Sequence, residues 1–221
     1  MAATSDALLV LASRSPQRSA ILSQLGLPFR VVPSRHDETV VAGDPVATVV
    51  ENARGKAGEV AGRAAGGRPP GHLVLGVDTV VVLGDRVLGK AASGAQAASY
   101  LEALSGRTHE VHSGLCLLGP EGREVAAHAR TAVTFRPLAA AAVAAYVASG
   151  EWRERAGAYA IQGLGSALVT AIDGDYWNVV GLPVPELLDA LQTFGLPPFS
   201  WLEQGTATAG RGTGRRPTPQ P

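Results

Sequence analysis

The segment from Leu73 to Gly84, LVLGVDTVVVLG, is apolar apart from the side chains of Asp78 and Thr79. Its length, its valines and the closing glycine mark a β-strand buried on both faces. Such a strand belongs inside a sheet covered by helices. An unpaired carboxylate there costs several kcal/mol. Asp78 therefore either ends the strand at a bulge and bonds nearby backbone, or opens into a cleft where a metal, a lysine or water meets it. The cleft is the favoured reading. Thr79 points to the opposite face of a regular strand, so the two share a site only through a local twist.

The remaining segments supply the covering layers. Ala7 to Ala12 reads as a strand and Pro16 to Leu25 as a helix, with Ser15 as its N-cap, Pro16 at its first position and Gly26 as its stop. Phe29 to Val32 reads as a second strand, ended by Pro33 and followed by the polar run SRHDE. Asp44 caps a helix whose Val46, Val49, Val50, Ala53, Ala57 and Val60 recur at helical spacing, with Glu51, Arg54 and Lys56 off that stripe. Gly62 to His72 is a loop, and Gly84-Asp85 suits a type II′ hairpin between Leu73–Leu83 and the strand that follows. Ser93 and Gln96 form a capping box for a third helix. Thr108 to Leu118 and Glu124 to Phe135 are long strands joined by GPEGR, which points to antiparallel pairing. Leu138 to Ser149 and Pro185 to Phe194 read as helices, and Ala167 to Ile172 as a strand. The sum is an α/β fold with a mixed central β-sheet flanked by helices. Residues 204–221, rich in Gly, Pro and Thr, are expected to be disordered. Residues 1–203 then form a single domain of two lobes.

Several function classes are disfavoured. Lys plus Arg and Asp plus Glu number 19 each, so no net charge draws the chain to nucleic acid or a membrane. The apolar stretch from Leu138 to Ala148 is far short of the ~20 residues that span a bilayer, no basic leader precedes an apolar core, and a cytoplasmic protein is the default. Cys116, the single cysteine, sits in an apolar run and reads as a core residue. GDRVLGK, Gly84 to Lys90, has P-loop spacing, but Ala91 stands where the metal-holding hydroxyl would be, and the segment reads as a hairpin. His109 and His112 lie three apart in a strand and face opposite ways, which rules against a shared zinc. Asp173 and Asp175 read as a turn.

The stretch LASRSPQRSAIL, Leu11 to Leu22, places Arg14 and Arg18 at the start of a helix, where the backbone is already positive and a cation is disfavoured by roughly 0.3–1 kcal/mol. Ser13, Ser15, the two arginines and the free N–H groups of the first turn read as an anion site, the alternative being two arginines that point into solvent and contribute little either way. The arrangement makes sense if a polyphosphate sits between the arginines. Lys56 and Lys90 add positive charge, and Asp78 and Glu38 could bind a divalent ion. Cations for phosphates with carboxylates for a metal suit hydrolysis of a nucleotide polyphosphate.

The blocks LASRSPQRSAILSQLG, SRHDE, GVDTVVVLGDRVLGK, LSGRTHEVHSG, AGAYAIQGLGS and NVVGLP resemble, in order, those of the Maf family of nucleoside triphosphate pyrophosphatases, across most of residues 8–195. The resemblance implies a two-lobed α/β fold with a cleft (Maf/ITPase-like), a homodimer, and Mg²⁺- or Mn²⁺-dependent hydrolysis between the α- and β-phosphates. It implies Asp78 as the catalytic acid, with Val77 for the usual alanine, and Ser13, Arg18, Lys56 and Lys90 as substrate-binding residues. Glu38 and Asp78 are the implied metal ligands. Thr79 and Gln162 look like the group acting on dTTP and UTP, whereas Gln17 departs from that group's usual arginine, and Ala91 replaces a common proline. Two further expectations stand beside a dTTP/UTP pyrophosphatase: a nucleotide-sensing regulator linked to septum formation without significant turnover, and a pool-cleansing enzyme for modified nucleotides.

Overall fold

A computed structural model describes residues 8–63 and 72–202. The expected tail, 204–221, and most of the loop read between Gly62 and His72 lie outside the described residues. The elements run in the order β1 (Leu9–Leu11), α1 (Pro16–Gln24), β2 (Phe29–Val31), α2 (Pro45–Arg63), β3 (Leu73–Leu83), β4 (Arg86–Leu88), α3 (Gly94–Leu104), β5 (Thr108–Leu118), β6 (Glu124–Phe135), α4 (Ala140–Ser149), β7 (Val169–Asp173), α5 (Tyr176–Val180) and α6 (Val184–Thr193). The sheet is mixed, ordered β2-β1-β3-β5-β6-β7, with β4 also on β3.

The local chemistry explains these boundaries. Ser15 caps α1 through Oγ, which accepts from the Arg18 N–H at 3.4 Å. Ser93 caps α3 by accepting from the Gln96 N–H at 3.2 Å. The Gln96 side chain reaches back to the Ala92 N–H at 2.7 Å, one residue earlier than a capping box requires. Gly84 takes φ +59° in the β3–β4 hairpin, so GDRVLGK is a turn and a strand and not a phosphate loop. Two differences from the sequence reading fall in the last third. A 3₁₀ segment, Gly163–Leu168, precedes β7, which shifts that strand to Val169–Asp173. Tyr176–Val180 forms a short helix because Asp175 caps it, accepting from the N–H groups of Trp177 and Asn178 at 2.9 Å each.

The central strand is buried throughout except at Thr79. Along one edge β3 pairs with β5, antiparallel, from Val74↔Leu118 to Val82↔Glu110. Along the other it meets β1 in parallel at Leu73–Leu75 and β4 antiparallel at Val81–Leu83. Residues 76–80 have no strand on that side among the described residues. The sheet is therefore split along one edge, and Asp78 and Thr79 lie in the split.

The same division runs through the core. On one face of β3, Leu73, Leu75 and Val77 join Leu9, Leu22, Leu115, Leu187 and Trp201 in a first apolar cluster. On that face Val81 and Leu83 join Leu101, Val111, Phe135, Tyr146 and Tyr159 in a second. Thr79 falls between them. Each cluster is one lobe, and β3 and β5 run through both. On the opposite face lies α2, set against two glycines. A Cβ on Gly76 would stand 2.1 Å from the Ala53 carbonyl oxygen, and one on Gly114 would stand 2.2 Å from that of Val49. Asp78 pairs across the sheet with Gly114, so the helix passes directly over the acid.

Candidate functional site

A cavity of about 930 Å³ opens at the split. Its walls come from the β1–α1 turn, the loop between β2 and α2, the unpaired edge of β3, the start of β4–α3, residues 153–162 of the second lobe and the end of α5. Ser13, Gln17, Arg18, Glu38, Asp78, Thr79, Lys90 and Gln162 all line it. Lys56, the remaining residue singled out from the sequence, does not, and stands behind the carboxylates.

The first wall is the anion site read from the α1 start. Arg18 is 9% exposed. Its Nε donates to the Gly181 carbonyl at 2.9 Å, Nη1 to Ser13 Oγ at 3.0 Å and Nη2 to Thr79 Oγ1 at 3.2 Å. All three acceptors are neutral. Among the described residues no carboxylate forms an ion pair with Arg18. Burial pulls the guanidinium below the ordinary arginine value, and the more distant charges of Asp78 and Glu38 pull it back up. A buried cation without a counter-ion beside a helix N-terminus is a place prepared for an anion. Arg14 lies exposed on the same wall. Ser13 Oγ also accepts from the Ser15 N–H at 3.1 Å, and Gln17 Oε1 accepts from Ser15 Oγ at 3.2 Å. Thr79 Oγ1 lies 2.9 Å from Ser113 Oγ.

The second wall is held by α2. Thr48, Asn52, Lys56, Glu59 and Arg63 recur at three- and four-residue spacing, so they share one side of the helix. Each takes hold of the loop that runs alongside, which has no regular structure of its own. Thr48 Oγ1 accepts from the Val41 N–H at 2.9 Å. The Asn52 amide accepts from Thr39 N–H and donates to Thr39 C=O, both at 2.9 Å. Lys56 Nζ pairs with Glu38 Oε1 at 2.6 Å. Glu59 accepts from the Arg35 N–H at 2.9 Å and from Ser34 Oγ at 3.1 Å, and Arg63 donates to the Pro33 carbonyl at 2.6 Å. The Arg35 N–H, chief among these donors, holds the Glu59 carboxyl below its ordinary value.

The same helix side fixes the buried acid. Lys56 Nζ binds Asp78 Oδ1 at 2.7 Å, and Asn52 Nδ2 donates to Asp78 Oδ2 at 3.0 Å. Asp78, 5% exposed, is thus met by a lysine and still faces the cleft. No twist of the strand was needed to bring Thr79 in. Asp78 leaves one face and Thr79 the other, and both reach the cavity through the open edge between β1 and β4. Of the carboxylates lining the cavity, Asp78 and Glu38 share Lys56 and could hold a cation together, whereas Glu154 stands apart on Lys90. Two carboxylates suit Mg²⁺, which takes one or two and completes its shell with phosphate oxygens and water. Among the described residues no group of three or more His, Cys, Asp or Glu side chains gathers as a metal site.

The second lobe contributes the far wall. Lys90 is exposed and pairs with Glu154 at 3.0 Å. Gln162 lies exposed on a segment that also brings Tyr159 and Ile161 to the cavity. His109 and His112 diverge as their spacing demands. His109 Nε2 meets Tyr159 OH and His112 Nδ1 meets His128 Nε2, each at 2.9 Å. Sequence reasoning missed Thr48 and Asn52. Their signal was present as a polar stripe beside the apolar one on the same helix, legible once Lys56 was set in register with them. It also missed Arg155 and the α5 backbone, which carry no local signal because tertiary packing alone brings them to the cavity.

The split sheet defines the class: an α/β protein with a prepared anion site and a buried, lysine-held acid in one interlobe cleft. The family described as "Maf-like protein" matches residues 8–194. A protein of Moorella thermoacetica named dTTP/UTP pyrophosphatase is 51% identical over 190 residues, covering 85% of this chain and 95% of its own length. One of Paramagnetospirillum magneticum bearing the same name is 47% identical over 194 residues, covering 87% of this chain and all of its own. A crystal structure of a dITP/XTP pyrophosphatase from Mycobacterium abscessus aligns over 92% of this chain and 99% of its own, with a TM-score of 0.41 and 16% identity, a likeness too distant to bear on the chemistry. The chain belongs to the Maf family.

Proposed function

We propose that this protein hydrolyses nucleoside triphosphates, dTTP and UTP first among them, to the monophosphate and pyrophosphate. The observation that carries the reading is the placement of Arg18, a buried cation lacking a counter-ion, in the same cleft as Asp78, a buried acid whose charge is already met. A triphosphate supplies the missing negative charge, and the acid next to it supplies the chemistry. The names of the relatives support the choice of nucleotide.

In this reading the phosphates lie against Ser13, Arg18 and the N-terminal end of α1, with Lys90 approaching from the other lobe. Preorganised donors of this kind stabilise charge that develops as pyrophosphate departs. Asp78 orients the attacking water or accepts its proton. Each Asp78 oxygen is engaged once, by Lys56 or by Asn52, and keeps a lone pair for that task. Lys56 pairs with both Asp78 and Glu38 and so ties the two carboxylates together. A Mg²⁺ or Mn²⁺ ion held by Glu38 and Asp78 would neutralise phosphate charge. Gln17, Thr79 and Gln162 are the proposed specificity residues. A homodimer belongs to the same reading and is checked by light scattering.

The test is pyrophosphate release from a panel of nucleoside triphosphates with Mg²⁺ and with Mn²⁺. dTTP and UTP are expected to turn over fastest, and Asp78→Asn, which keeps size and removes charge, is expected to lower kcat by about 10³-fold or more. Tight binding of dTTP without release would favour a sensor, and preferred turnover of a modified nucleotide would favour pool cleansing.

A further inference from the structure

Gln162 sits on a segment with little regular structure, so something outside it must hold its place. Its flanks are fixed by two side chains of the second lobe. The Ala160 N–H donates to Tyr146 OH at 3.0 Å. The Leu164 N–H donates to Glu151 Oε2 at 3.0 Å and the Gly165 N–H to Glu151 Oε1 at 2.8 Å. Tyr146 OH in turn donates to Glu151 Oε1 at 3.0 Å, which joins the two anchors. The segment is wrapped tightly around them. A Cβ on Gly163, where φ is +70°, would stand 2.5 Å from Glu151 Oε2, and one on Gly165 would stand 1.9 Å from the Ala160 carbonyl oxygen and 3.1 Å from Tyr146 OH. Tyr146, on α4, is 5% exposed and belongs to the second-lobe core. The carboxylate, with three donors converging on it, and the buried phenol thus pin the backbone two residues before Gln162 and two and three residues after it. Neither side chain lines the cavity.

We propose that Tyr146 and Glu151 are positioning residues for nucleobase selection, acting through Gln162. The inference rests on the reading of the cleft as a nucleoside triphosphate site with Gln162 against the base. A side chain that reads a base edge by hydrogen bonds discriminates only while its donor and acceptor are held in place, because a misaligned amide pairs as well with a wrong base. Loss of the anchors should therefore cost selectivity before it costs turnover.

The experiment compares Tyr146→Phe, Glu151→Gln and Gln162→Ala with the parental chain by kcat/KM for dTTP and for GTP. Each variant is expected to lower the dTTP-to-GTP ratio about tenfold, with kcat for dTTP falling far less. In a Gln162→Ala background, Tyr146→Phe is expected to change the ratio no further. Amide hydrogen exchange supplies a readout free of turnover: the Leu164 and Gly165 amides should exchange faster in Glu151→Gln. If Gln162→Ala lowers the ratio while Tyr146→Phe and Glu151→Gln preserve it, the inference is wrong and the reading of the site stands. Unchanged exchange at Leu164 and Gly165 in Glu151→Gln would also overturn it. If Gln162→Ala preserves the ratio, selection does not run through Gln162 and the inference falls with that assignment. If the parental chain releases pyrophosphate from no nucleotide, the reading of the site itself fails.

Discussion

Arg18 and Asp78 are both buried charges, and the chain treats them in opposite ways. Asp78 is met by Lys56 at 2.7 Å and by Asn52 at 3.0 Å, so its charge is satisfied by the protein. Arg18 reaches three neutral oxygens. Removing one member of a buried pair typically costs 3–5 kcal/mol, whereas removing an unpaired charge removes its desolvation penalty as well. Lys56→Met should therefore lower stability by about 3 kcal/mol in urea denaturation, and a Lys56→Met/Asp78→Asn double variant should recover most of that. Arg18→Met should melt close to the parental temperature without ligand. It should also lose most of the dTTP-induced thermal shift, since a hydrogen bond to a charged group is worth about 1.5–3 kcal/mol, or ~10- to 100-fold in affinity. An Arg18→Met chain that melts far lower while binding dTTP normally would mean that the guanidinium serves the fold and not a ligand.

At the level of elements, α2 decides the geometry of the site. Its apolar side, Val49, Ala53, Ala57 and Val60, is buried against the sheet, and its polar side carries the loop bearing Glu38. Both depend on how closely the helix can approach β3 and β5, which is set by Gly76 and Gly114. Gly114→Ala puts a methyl group 2.2 Å from the Val49 carbonyl oxygen, a backbone atom that cannot turn aside. Overpacking of this kind costs typically 1–3 kcal/mol. The helix would lift away from Asp78, so both stability and dTTP turnover should fall. Gly43→Ala is a useful control, because a Cβ there meets nothing within 4 Å, although its φ of +75° makes any side chain somewhat strained. Equal losses in turnover for the two variants would show that helix approach is not what matters.

At the scale of the whole molecule, the two larger apolar clusters among the described residues are threaded on the shared strands β3 and β5. The second core contains a titratable group, His109, 1% exposed and packed edge-on against Phe135 and Tyr159. Burial pushes its pKa down from 6.5 to about 4. The folded state therefore favours the neutral ring. The stability this represents is whole above pH 6.5 and is lost as pH falls from there toward 4, a loss of about 3 kcal/mol in all. The parental chain should show that decline in unfolding free energy between pH 7 and pH 4. His109→Gln, with nothing to titrate at this position, should decline by visibly less. Parallel curves for the two proteins would rule His109 out as the source.

Much of this molecule follows from order along the chain, because the forces concerned are local. Ser15 and Pro16 start α1, Ser93 starts α3, Gly84 turns the hairpin, and the apolar run around Asp78 can be nothing but an inner strand, since each depends on neighbours a few residues away. The same locality made Arg18 and Asp78 conspicuous as charges out of place. Other features are decided by contacts between distant segments. The gap on the edge of β3 exists because β1 covers only Leu73–Leu75 of that edge and β4 only Val81–Leu83. It lets Asp78 and Thr79, on opposite faces, open into one cavity. Lys56 is a stray cation on its own helix until Glu38 and Asp78 arrive from elsewhere. Side-chain period and capping chemistry are written in sequence, but which strand lies beside which, and where an edge is left bare, is settled only when the sheet closes and each apolar face finds its cover.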